Sequence, residues 1–521
     1  KTHLHLLLQL SFNPLYFSWL LHCQARLCRN LFIMLKEIIM KMGFTPVKAI
    51  GLALGIVFLM IPIFWSAPAG MSASAWHTTG IALLLAIWWG TQAIPIHATA
   101  LIPIVLFPIF DILPLKESAL PYIDPIIFLL MGGFIMSIGI SKWNLHRRLS
   151  LNILNLMGAS PAAILVGFMT ATAFISMWMS NSAATIMMIP IVISLINQVA
   201  KEGKESQNFI LCLLLGIAYS ASMGGMGTII GSPPNAFVVS YLAKEHEVYI
   251  TFIEWMMFGV PAAIVMTFLA WWVLAKWVYP FDSTCIHVST TVIEDELKEM
   301  GRLSVPEKRT AFIFLLVIMA WLTRDLIQKN FGLTWITDSI IAMVGATLML
   351  VIPSGQCQNK YSPLINFKNI ISIPWNILIL VGGGLSLSTG IQKSGLATWL
   401  GYNLPSFSGF EIVLGIVCLV AFIVFLTELT SNTATMATLA PILGAFAITN
   451  GIDLHLIFIA AIMSVSCAFM LPIATPPNAI IFSSKRITIP QMAHAGFRLN
   501  LMAIIVVTVL SYSIVPLVFG E

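Results

Sequence analysis

Apolar runs long enough to cross a bilayer alternate with short polar breaks along almost the whole chain. Runs such as 49–64 and 311–322 belong to segments that approach the ~20 residues a membrane-spanning helix needs. The sequence lacks the ~10-residue dyad alternation of a membrane barrel. The pattern predicts an all-α polytopic membrane protein with about 11 transmembrane helices. The predicted spans are 46–65, 76–91, 96–113, 161–200, 207–242, 252–279, 310–328, 337–353, 411–450, 455–475 and 497–518.

Two further apolar blocks are interrupted by glycine clusters. The block 121–141 contains Gly132 and Gly133, and the block 370–402 contains "VGGG". We interpret these clusters as the tips of two re-entrant hairpins; the alternative is that the glycines let two helices pack closely. The longest polar connection is 280–309, and we expect it to join two halves of the chain.

The two halves repeat each other in sequence. The motif "SNS" at 180–182 returns as "SNT" at 431–433, a shift of 251 positions (431 minus 180), and the glycine clusters align under the same shift. "GSPPNA" at 231–236 matches "ATPPNA" at 474–479, a shift of 243 (474 minus 231). Three matches in one order indicate an internal duplication. The sequence leaves the orientation of the copies open, and a central site at the repeat interface favours inversion.

The SNS and SNT motifs lie in the middle of apolar segments that are too long for one straight span. The segments 161–200 and 411–450 each hold 40 residues. Serine and asparagine offer the backbone competing hydrogen bonds and favour caps, so we expect each helix to stop at its motif and restart as a second half. Such breaks survive in a membrane only where they are buried in protein or line a wet cavity. The competing interpretation is that these side chains merely join helices.

A broken helix offers two kinds of ligand. Its new N-terminus presents free N–H groups that suit an anion, and the preceding carbonyls suit a small hard cation. Asparagine supplies both a donor and an acceptor, so one amide can bridge a cation and a carboxylate. The carbonyls of Gly231 and Ala474, just before the proline pairs, are candidate cation ligands. No Lys or Arg lies within these motifs, which predicts that a bound dianion depends on co-bound cations.

Composition and charge agree with a membrane protein. The chain is 59% hydrophobic and 9% charged, whereas soluble domains carry about 25% charged residues. The net charge of +5 lies mostly in loops, which points to membrane orientation and not to nucleic-acid binding. The 7 cysteines form no CxxC pair and are expected to be apolar fillers. Basic residues cluster at 142–148, 201–204, 302–309 and 485–498. By the positive-inside rule, these clusters predict that the C-terminus lies outside the cell.

Three ionisable side chains fall in or near apolar segments. Glu428 stands three residues before Ser431 and is either paired structurally or modulates cation binding. Asp124 and His97 are expected near an interface or in satisfied contacts. None of the three is assigned to the site.

The beginning of the chain gives no clean helix. It starts with Lys1, and Met34, Met40 and Met42 are candidate start residues. We therefore treat 1–45 as an N-terminal extension with an uncertain start and exclude it from functional reasoning.

Five stretches together resemble the divalent-anion:sodium symporter family, in particular its bacterial sodium–dicarboxylate transporters. The resemblance covers roughly 45–519. It departs from the family pattern at Gln92, which replaces the more usual glutamate, at Ser182, which replaces threonine, and at Ser232, where threonine is common. The stretches are "WWGTQAIPIHATALIP" (88–103), "SNSAATIMMIP" (180–190), "GGMGTIIGSPPNA" (224–236), "TELTSNTATMATLAP" (427–441) and "LPIATPPNAIIFSS" (471–484).

The resemblance implies a homodimer in which a transport domain moves against a scaffold by an elevator mechanism. It implies scaffold helices over 46–113 and 252–353, and the two halves of the transport domain over 120–242 and 370–519. The implied sodium ligands are Ser176, Ser180, Asn181 and the Gly231 carbonyl in one copy, with Thr427, Asn432 and the Ala474 carbonyl in the other. The implied substrate ligands are Asn181, Ser182, Ser232, Asn432, Thr433, Thr475 and Pro476.

The expected function is sodium-coupled import of a C4-dicarboxylate such as succinate, malate or fumarate across a bacterial inner membrane. Sodium is the coupling ion, and no cofactor or nucleic-acid partner is expected. The first alternative is a sodium-coupled citrate or sulfate transporter, or an exchanger, on the same fold. A channel or metalloid-pump subunit on a similar scaffold is a more distant alternative. An enzyme is not expected, because the sequence has no HExxH, no GxSxG and no paired intramembrane Asp motif.

Overall fold

The computed structural model describes residues 45–158, 160–199, 203–284, 291–355, 361–403 and 409–520. Within these ranges the chain is helical, with no strand beyond one isolated bridge between Pro353 and Pro363. The predicted N-terminal extension lies outside the described residues, apart from Thr45.

The first half of the described chain contains eleven α-helices, and 3-10 turns occupy Leu120–Ile123 and Gly225–Gly227. The helices are α1 (Pro46–Phe64), α2 (Ala73–Thr91), α3 (Ile96–Thr99), α4 (Ile102–Ile109), α5 (Leu115–Ala119), α6 (Pro125–Lys142), α7 (Leu145–Met157), α8 (Pro161–Ser176), α9 (Asn181–Val199), α10 (Gly203–Gly224) and α11 (Pro233–His246).

The second half contains twelve more within the described ranges, and a π-helical turn at Val273–Val278 continues the first of them. They are α12 (Phe252–Trp272), α13 (Thr291–Met300), α14 (Val305–Phe331), α15 (Asp338–Val351), α16 (Phe367–Ile370), α17 (Trp375–Lys393), α18 (Leu396–Asn403), α19 (Phe410–Leu426), α20 (Asn432–Asn450), α21 (Leu454–Val465), α22 (Pro476–Ser483) and α23 (Ile489–Phe519).

Seven segments of the described chain are long and apolar enough to cross a membrane, so the protein is a multi-pass all-α membrane protein. Six shorter apolar helices of 10–17 residues accompany them. The count of about 11 spans stays a prediction. The seven segments are Pro46–Phe64, Leu115–Lys142, Glu205–Gly227, Phe252–Val278, Val305–Phe331, Asn432–Asn450 and Ile489–Phe519.

Both long segments that carry the SNS and SNT motifs divide into two helices, as the sequence predicts. In the first segment α8 ends at Ser176 and α9 begins at Asn181. In the second segment α19 ends at Leu426 and α20 begins at Asn432. The shift of 251 superimposes the first residues of α9 and α20. The polar motif therefore sets the same helix boundary in both halves.

Two predicted spans are interrupted by loops that their hydropathy does not reveal. The segment 207–242 is not one span, because α10 ends at Gly224 and α11 begins at Pro233. The segment 455–475 is helical only to Val465. In both cases a loop precedes the Pro-Pro-Asn motif, and apolar residues in the loop hide the break from hydropathy.

The glycine clusters lie inside continuous helices, so the prediction that they form hairpin tips is wrong. A Cβ atom on Gly132 of α6 would lie 2.7 Å from the backbone carbon of Ala342, and one on Gly383 of α17 would lie 2.3 Å from the Ala100 carbonyl oxygen. The alternative interpretation, close helix packing, is the correct one. The turns come after these two helices end, and the turn after α17 uses Gly395 at φ +83°.

The helix that begins with each Pro-Pro-Asn motif packs against helices of the other half. Helix α22, from the second half, packs against α9 and α10 of the first half. Helix α11, from the first half, packs against α17 and α20 of the second half. Each Pro-Pro-Asn motif is therefore held by contacts with the other half.

The polar connection 280–309 contains α13 and is clamped to α7 by ion pairs; its residues 285–290 lie outside the described ranges. Arg147 pairs with Glu296, and Arg148 Nε donates to Glu307 Oε1 at 3.0 Å. The Arg148 guanidinium also donates to the carbonyl oxygens of Met300 and Gly301 at 3.2 and 2.9 Å. The clamp fixes the entry into α14.

Replacing Arg148 by alanine should destabilise the fold by about 3 kcal/mol, because Glu307 is 5% exposed and would keep an uncompensated charge. Thermal unfolding in detergent measures the change. Lys298→Ala is the control, since that side chain is 73% exposed and its ion pairs are worth ~1 kcal/mol or less. Equal unfolding temperatures for the two variants would contradict the clamp.

Candidate functional site

A buried hydroxyl ends the first helix of each pair and meets the asparagine that begins the next helix. Ser176 Oγ lies 2.8 Å from the Asn181 side-chain amide and donates to the Ala221 carbonyl at 2.6 Å. Thr427 Oγ1 lies 2.7 Å from Asn432 Oδ1 and 3.1 Å from the Val465 carbonyl oxygen. The two halves thus build the same hydroxyl–amide–carbonyl cluster, and we call these clusters the first and second half-sites.

The first half-site is a concentration of acceptor atoms. One end of the Asn181 amide lies 2.8 Å from Ser176 Oγ and 3.2 Å from the carbonyl oxygens of Ala221 and Gly231. With its nitrogen at that end, the amide donates to these oxygens. With its oxygen there, four oxygens face one another and a hard cation is the group that compensates them. Rotation of the Asn181 amide alone converts one arrangement into the other.

The asparagine of each Pro-Pro-Asn motif clips the loop that precedes it. Asn235 Nδ2 donates to the carbonyls of Gly225 and Thr228, both at 2.8 Å. Asn478 Nδ2 donates to the carbonyls of Ala468 and Leu471, both at 3.1 Å. Both asparagines are buried, with 1% and 0% exposure. These hydrogen bonds position the backbone that leads to the Gly231 and Ala474 carbonyls. Asn235 and Asn478 were not among the predicted site residues.

The remaining predicted residues lie at the starts of four helices. Ser180 Oγ accepts from the Ala183 N–H of α9 at 3.3 Å, and Thr475 Oγ1 accepts from the Asn478 N–H of α22 at 3.4 Å. Ser232 precedes α11 and is buried. Ser182, Thr433 and Pro476 lie in the first turns of α9, α20 and α22. Helix N-termini favour anions, and the role of these residues toward a substrate stays a prediction.

Glu428 is a paired buried carboxylate, which was one of its two predicted roles. Its Oε1 accepts from the N–H groups of Phe469 and Met470 at 2.7 and 2.9 Å and from Asn500 Nδ2 at 2.8 Å. Its Oε2 accepts from the Leu471 N–H at 3.1 Å. Glu428 follows Thr427 of the second half-site in the chain, and its carboxylate holds the loop that leads to the Ala474 carbonyl. The corresponding residue of the first copy, 251 positions earlier, is Met177, which has no charge.

Asp124 is engaged in satisfied contacts, as predicted. Its Oδ1 accepts from the Ile126 N–H at 3.0 Å, which caps α6, and from Ser240 Oγ at 2.9 Å. Asp124 therefore fixes the start of α6 against α11 and has no assigned part in the half-sites.

Gly225 provides the space that the Asn181 side chain occupies. A Cβ atom at this position would lie 2.5 Å from Asn181 Oδ1 and 3.0 Å from its Nδ2. Gly225→Ala should displace the amide and lower the affinity for the sodium ion predicted at this half-site about tenfold or more, because a hydrogen bond to a charged group is worth ~1.5–3 kcal/mol. Titration of radiolabelled sodium onto the purified protein measures this. Gly415→Ala is the control, since its Cβ would meet nothing within 4 Å; equal sodium affinities would refute the effect.

A multi-pass helical protein with duplicated, buried, oxygen-rich half-sites belongs to the class of membrane transporters. Comparison with known proteins agrees: the chain belongs to the family described as the sodium:sulfate symporter transmembrane region, which matches residues 47–519. The family consists of secondary transporters, and the chain is accordingly not an enzyme. The resemblance seen in the sequence is confirmed.

Similar proteins include the sodium-dependent dicarboxylate transporter SdcS of Staphylococcus aureus strains USA300 and bovine RF122 / ET3-1. Each is 38% identical to this chain over 487 residues, which is 92% of this chain and 94% of the relative. Among solved structures, the YdaH transporter of Alcanivorax borkumensis matches with a TM-score of 0.51 and 12% identity. That match covers 84% of this chain and 98% of YdaH, and it supports the fold alone.

Proposed function

We propose that the protein is a sodium-coupled symporter that imports C4-dicarboxylates such as succinate, malate or fumarate. The observation that carries the proposal is the duplicated half-site, in which Ser176 with Asn181, and Thr427 with Asn432, lie 2.8 and 2.7 Å apart beside a backbone carbonyl. Neutral oxygens in this arrangement suit sodium. The 38% identity to a sodium-dependent dicarboxylate transporter supports the same ion and substrate class.

In this proposal sodium binds before the anion. The first ion takes Ser176, Ser180, Asn181 and the Gly231 carbonyl; the second takes Thr427, Asn432 and the Ala474 carbonyl. Each amide that turns its oxygen to an ion presents its nitrogen on the other side, where a carboxylate can accept. Ser182, Ser232, Thr433, Thr475 and Pro476, with the two amides, then bind the dianion.

Sodium lowers the cost of moving the dianion through the membrane. Two cations and one dianion form a nearly neutral complex, whereas an unpaired carboxylate at the bilayer centre is strongly disfavoured. The SNS, SNT and Pro-Pro-Asn motifs contain no Lys or Arg that would hold the anion without the ions. Transport therefore requires sodium.

We further propose an inverted repeat with about 11 spans, a homodimer, an elevator movement and an outside C-terminus in a bacterial inner membrane. The first residues of α9 and α20, which coincide under the shift of 251, support the repeat. We place the two hairpins where α6 meets α7 and where α17 meets α18. We propose 46–113 and 252–353 as the scaffold and 120–242 and 370–519 as the transport domain, so that the close contacts of Gly132 with Ala342 and of Gly383 with Ala100 lie between the two domains.

The alternative is a citrate or sulfate transporter, or an exchanger, with the same sodium chemistry. The family description names sulfate, and Ser182 leaves one methyl group less beside the anion than threonine would. These two observations keep the alternative open for experiment.

Competition against labelled succinate uptake in proteoliposomes, under an inward sodium gradient, tests the substrate class. We expect unlabelled malate and fumarate to block uptake, and citrate and sulfate to have little effect. Block by sulfate or citrate alone would replace the substrate and keep the mechanism. Counterflow with succinate inside and no sodium on either side distinguishes an exchanger, which would proceed at full rate under that condition, from a symporter, which would not.

A further inference from the structure

A single buried hydroxyl joins the two copies of the repeat close to both half-sites. Tyr219 of α10 donates from its hydroxyl to the Phe469 carbonyl at 2.8 Å. Both residues are fully buried, and their ring centroids lie 5.0 Å apart. Tyr219 belongs to the first copy, and Phe469 lies in the loop before α22 in the second copy.

Each end of this hydrogen bond leads directly to a half-site. Tyr219 stands two residues before Ala221, whose carbonyl accepts from Ser176 at 2.6 Å. Phe469 donates its N–H to Glu428 at 2.7 Å, and Glu428 follows Thr427 in the chain. An unbroken series of backbone and hydrogen-bond links therefore connects the Ser176 and Thr427 hydroxyls.

The connection is asymmetric between the copies. The first-copy counterpart of Phe469, 243 positions earlier, is Met226, and its carbonyl also accepts a buried side-chain hydrogen bond. There the donor is Trp255 Nε1 of α12 at 2.9 Å. Trp255 holds its loop without reaching the other half-site, so the chain contains a matched control for Tyr219.

We propose that the Tyr219 hydroxyl couples sodium binding at the two half-sites. An ion at the first half-site orders Ser176 and the Ala221 carbonyl, and with them the last turns of α10. Tyr219 transmits this order to the Phe469 loop, which leads to the Ala474 carbonyl of the second half-site. Tyr219 is a positioning residue that touches neither ion, and its role rests on the proposed function.

Equilibrium binding of radiolabelled sodium to purified protein, at constant ionic strength and without substrate, tests the coupling. Wild type should bind with a Hill coefficient above one, because two independent sites would give a coefficient of one. Tyr219→Phe keeps the ring and removes the hydroxyl. Its Hill coefficient should fall to one and its half-saturating sodium concentration should rise about fivefold or more, the usual size of coupling between sites.

Trp255→Phe is the control, because it removes the donor from the equivalent Met226 carbonyl; its Hill coefficient should stay above one. If its coefficient fell as far as that of Tyr219→Phe, Tyr219 would have a merely structural role and the proposal would be overturned. Should Tyr219→Phe not fold, Tyr219→Met also removes the hydroxyl, with an adaptable apolar side chain in its place, and should likewise bring the coefficient to one. Unchanged cooperativity in Tyr219→Phe, or in Tyr219→Met where only that variant folds, overturns the coupling and leaves symport intact. A wild-type chain that binds sodium with a coefficient of one also overturns it, whereas a wild-type chain that binds no sodium removes the proposed function itself.

Discussion

Alanine in place of Asn181 or Asn432 should abolish sodium-driven uptake while the protein stays folded. Each amide lies within 2.8 Å of the hydroxyl that ends the preceding helix. In the proposed mechanism the amide binds sodium with its oxygen and the carboxylate with its nitrogen, so truncation removes both interactions. Since a hydrogen bond to a charged group is worth about 1.5–3 kcal/mol, losing two should lower uptake about a hundredfold or more.

The measurement is the initial rate of labelled succinate uptake into proteoliposomes containing equal amounts of each variant. Asn152→Ala is the matched control, because Asn152 lies exposed on α7 and donates only to the Arg148 carbonyl at 2.9 Å. It should transport at the wild-type rate. Size-exclusion profiles check the fold. A wild-type rate in either Asn181→Ala or Asn432→Ala would refute the site assignment.

Glu428→Ala should cause the largest loss of stability among the variants considered, about 4 kcal/mol or more. The substitution leaves three backbone N–H groups and the Asn500 amide buried without their acceptor. Each buried unpaired donor costs ~1–3 kcal/mol, and water reaching the loop would recover part of the total. Glu428→Gln keeps one acceptor oxygen and should be intermediate.

Thermal unfolding in detergent without sodium measures this effect apart from ion binding. Glu294→Ala is the control, because that side chain is 51% exposed and its ion pair with the Lys298 ammonium, at 3.9 Å, is long and weak. An unfolding temperature for Glu428→Ala equal to that of Glu294→Ala would show that the carboxylate does not hold the loop.

Polar residues at the centre of long apolar segments were the most informative feature of the sequence. Serine and asparagine have no reason to lie at mid-membrane unless their hydrogen bonds are satisfied there. The helix breaks before Asn181 and Asn432 follow directly from this argument. The repetition of the motif also predicts that the two breaks are built alike, and the paired distances of 2.8 and 2.7 Å agree.

Features that depend on a distant partner could not be predicted. Gly132 and Gly383 suit a hairpin tip and a close helix contact equally well, and only the positions of Ala342 and Ala100 decide between them. The carbonyl oxygens of half-sites carry no sequence signal, because every residue has one. Likewise, the acceptors and donors around Glu428 are mostly backbone groups that a motif search does not detect.

Sodium dependence of uptake is the decisive measurement for the proposed symport. Labelled succinate uptake into proteoliposomes would be followed with sodium outside, and again with choline in its place at equal ionic strength and membrane potential. We predict accumulation above the outside concentration with the sodium gradient and almost none with choline. Equal uptake under both conditions would contradict the assignment of the two half-sites to sodium.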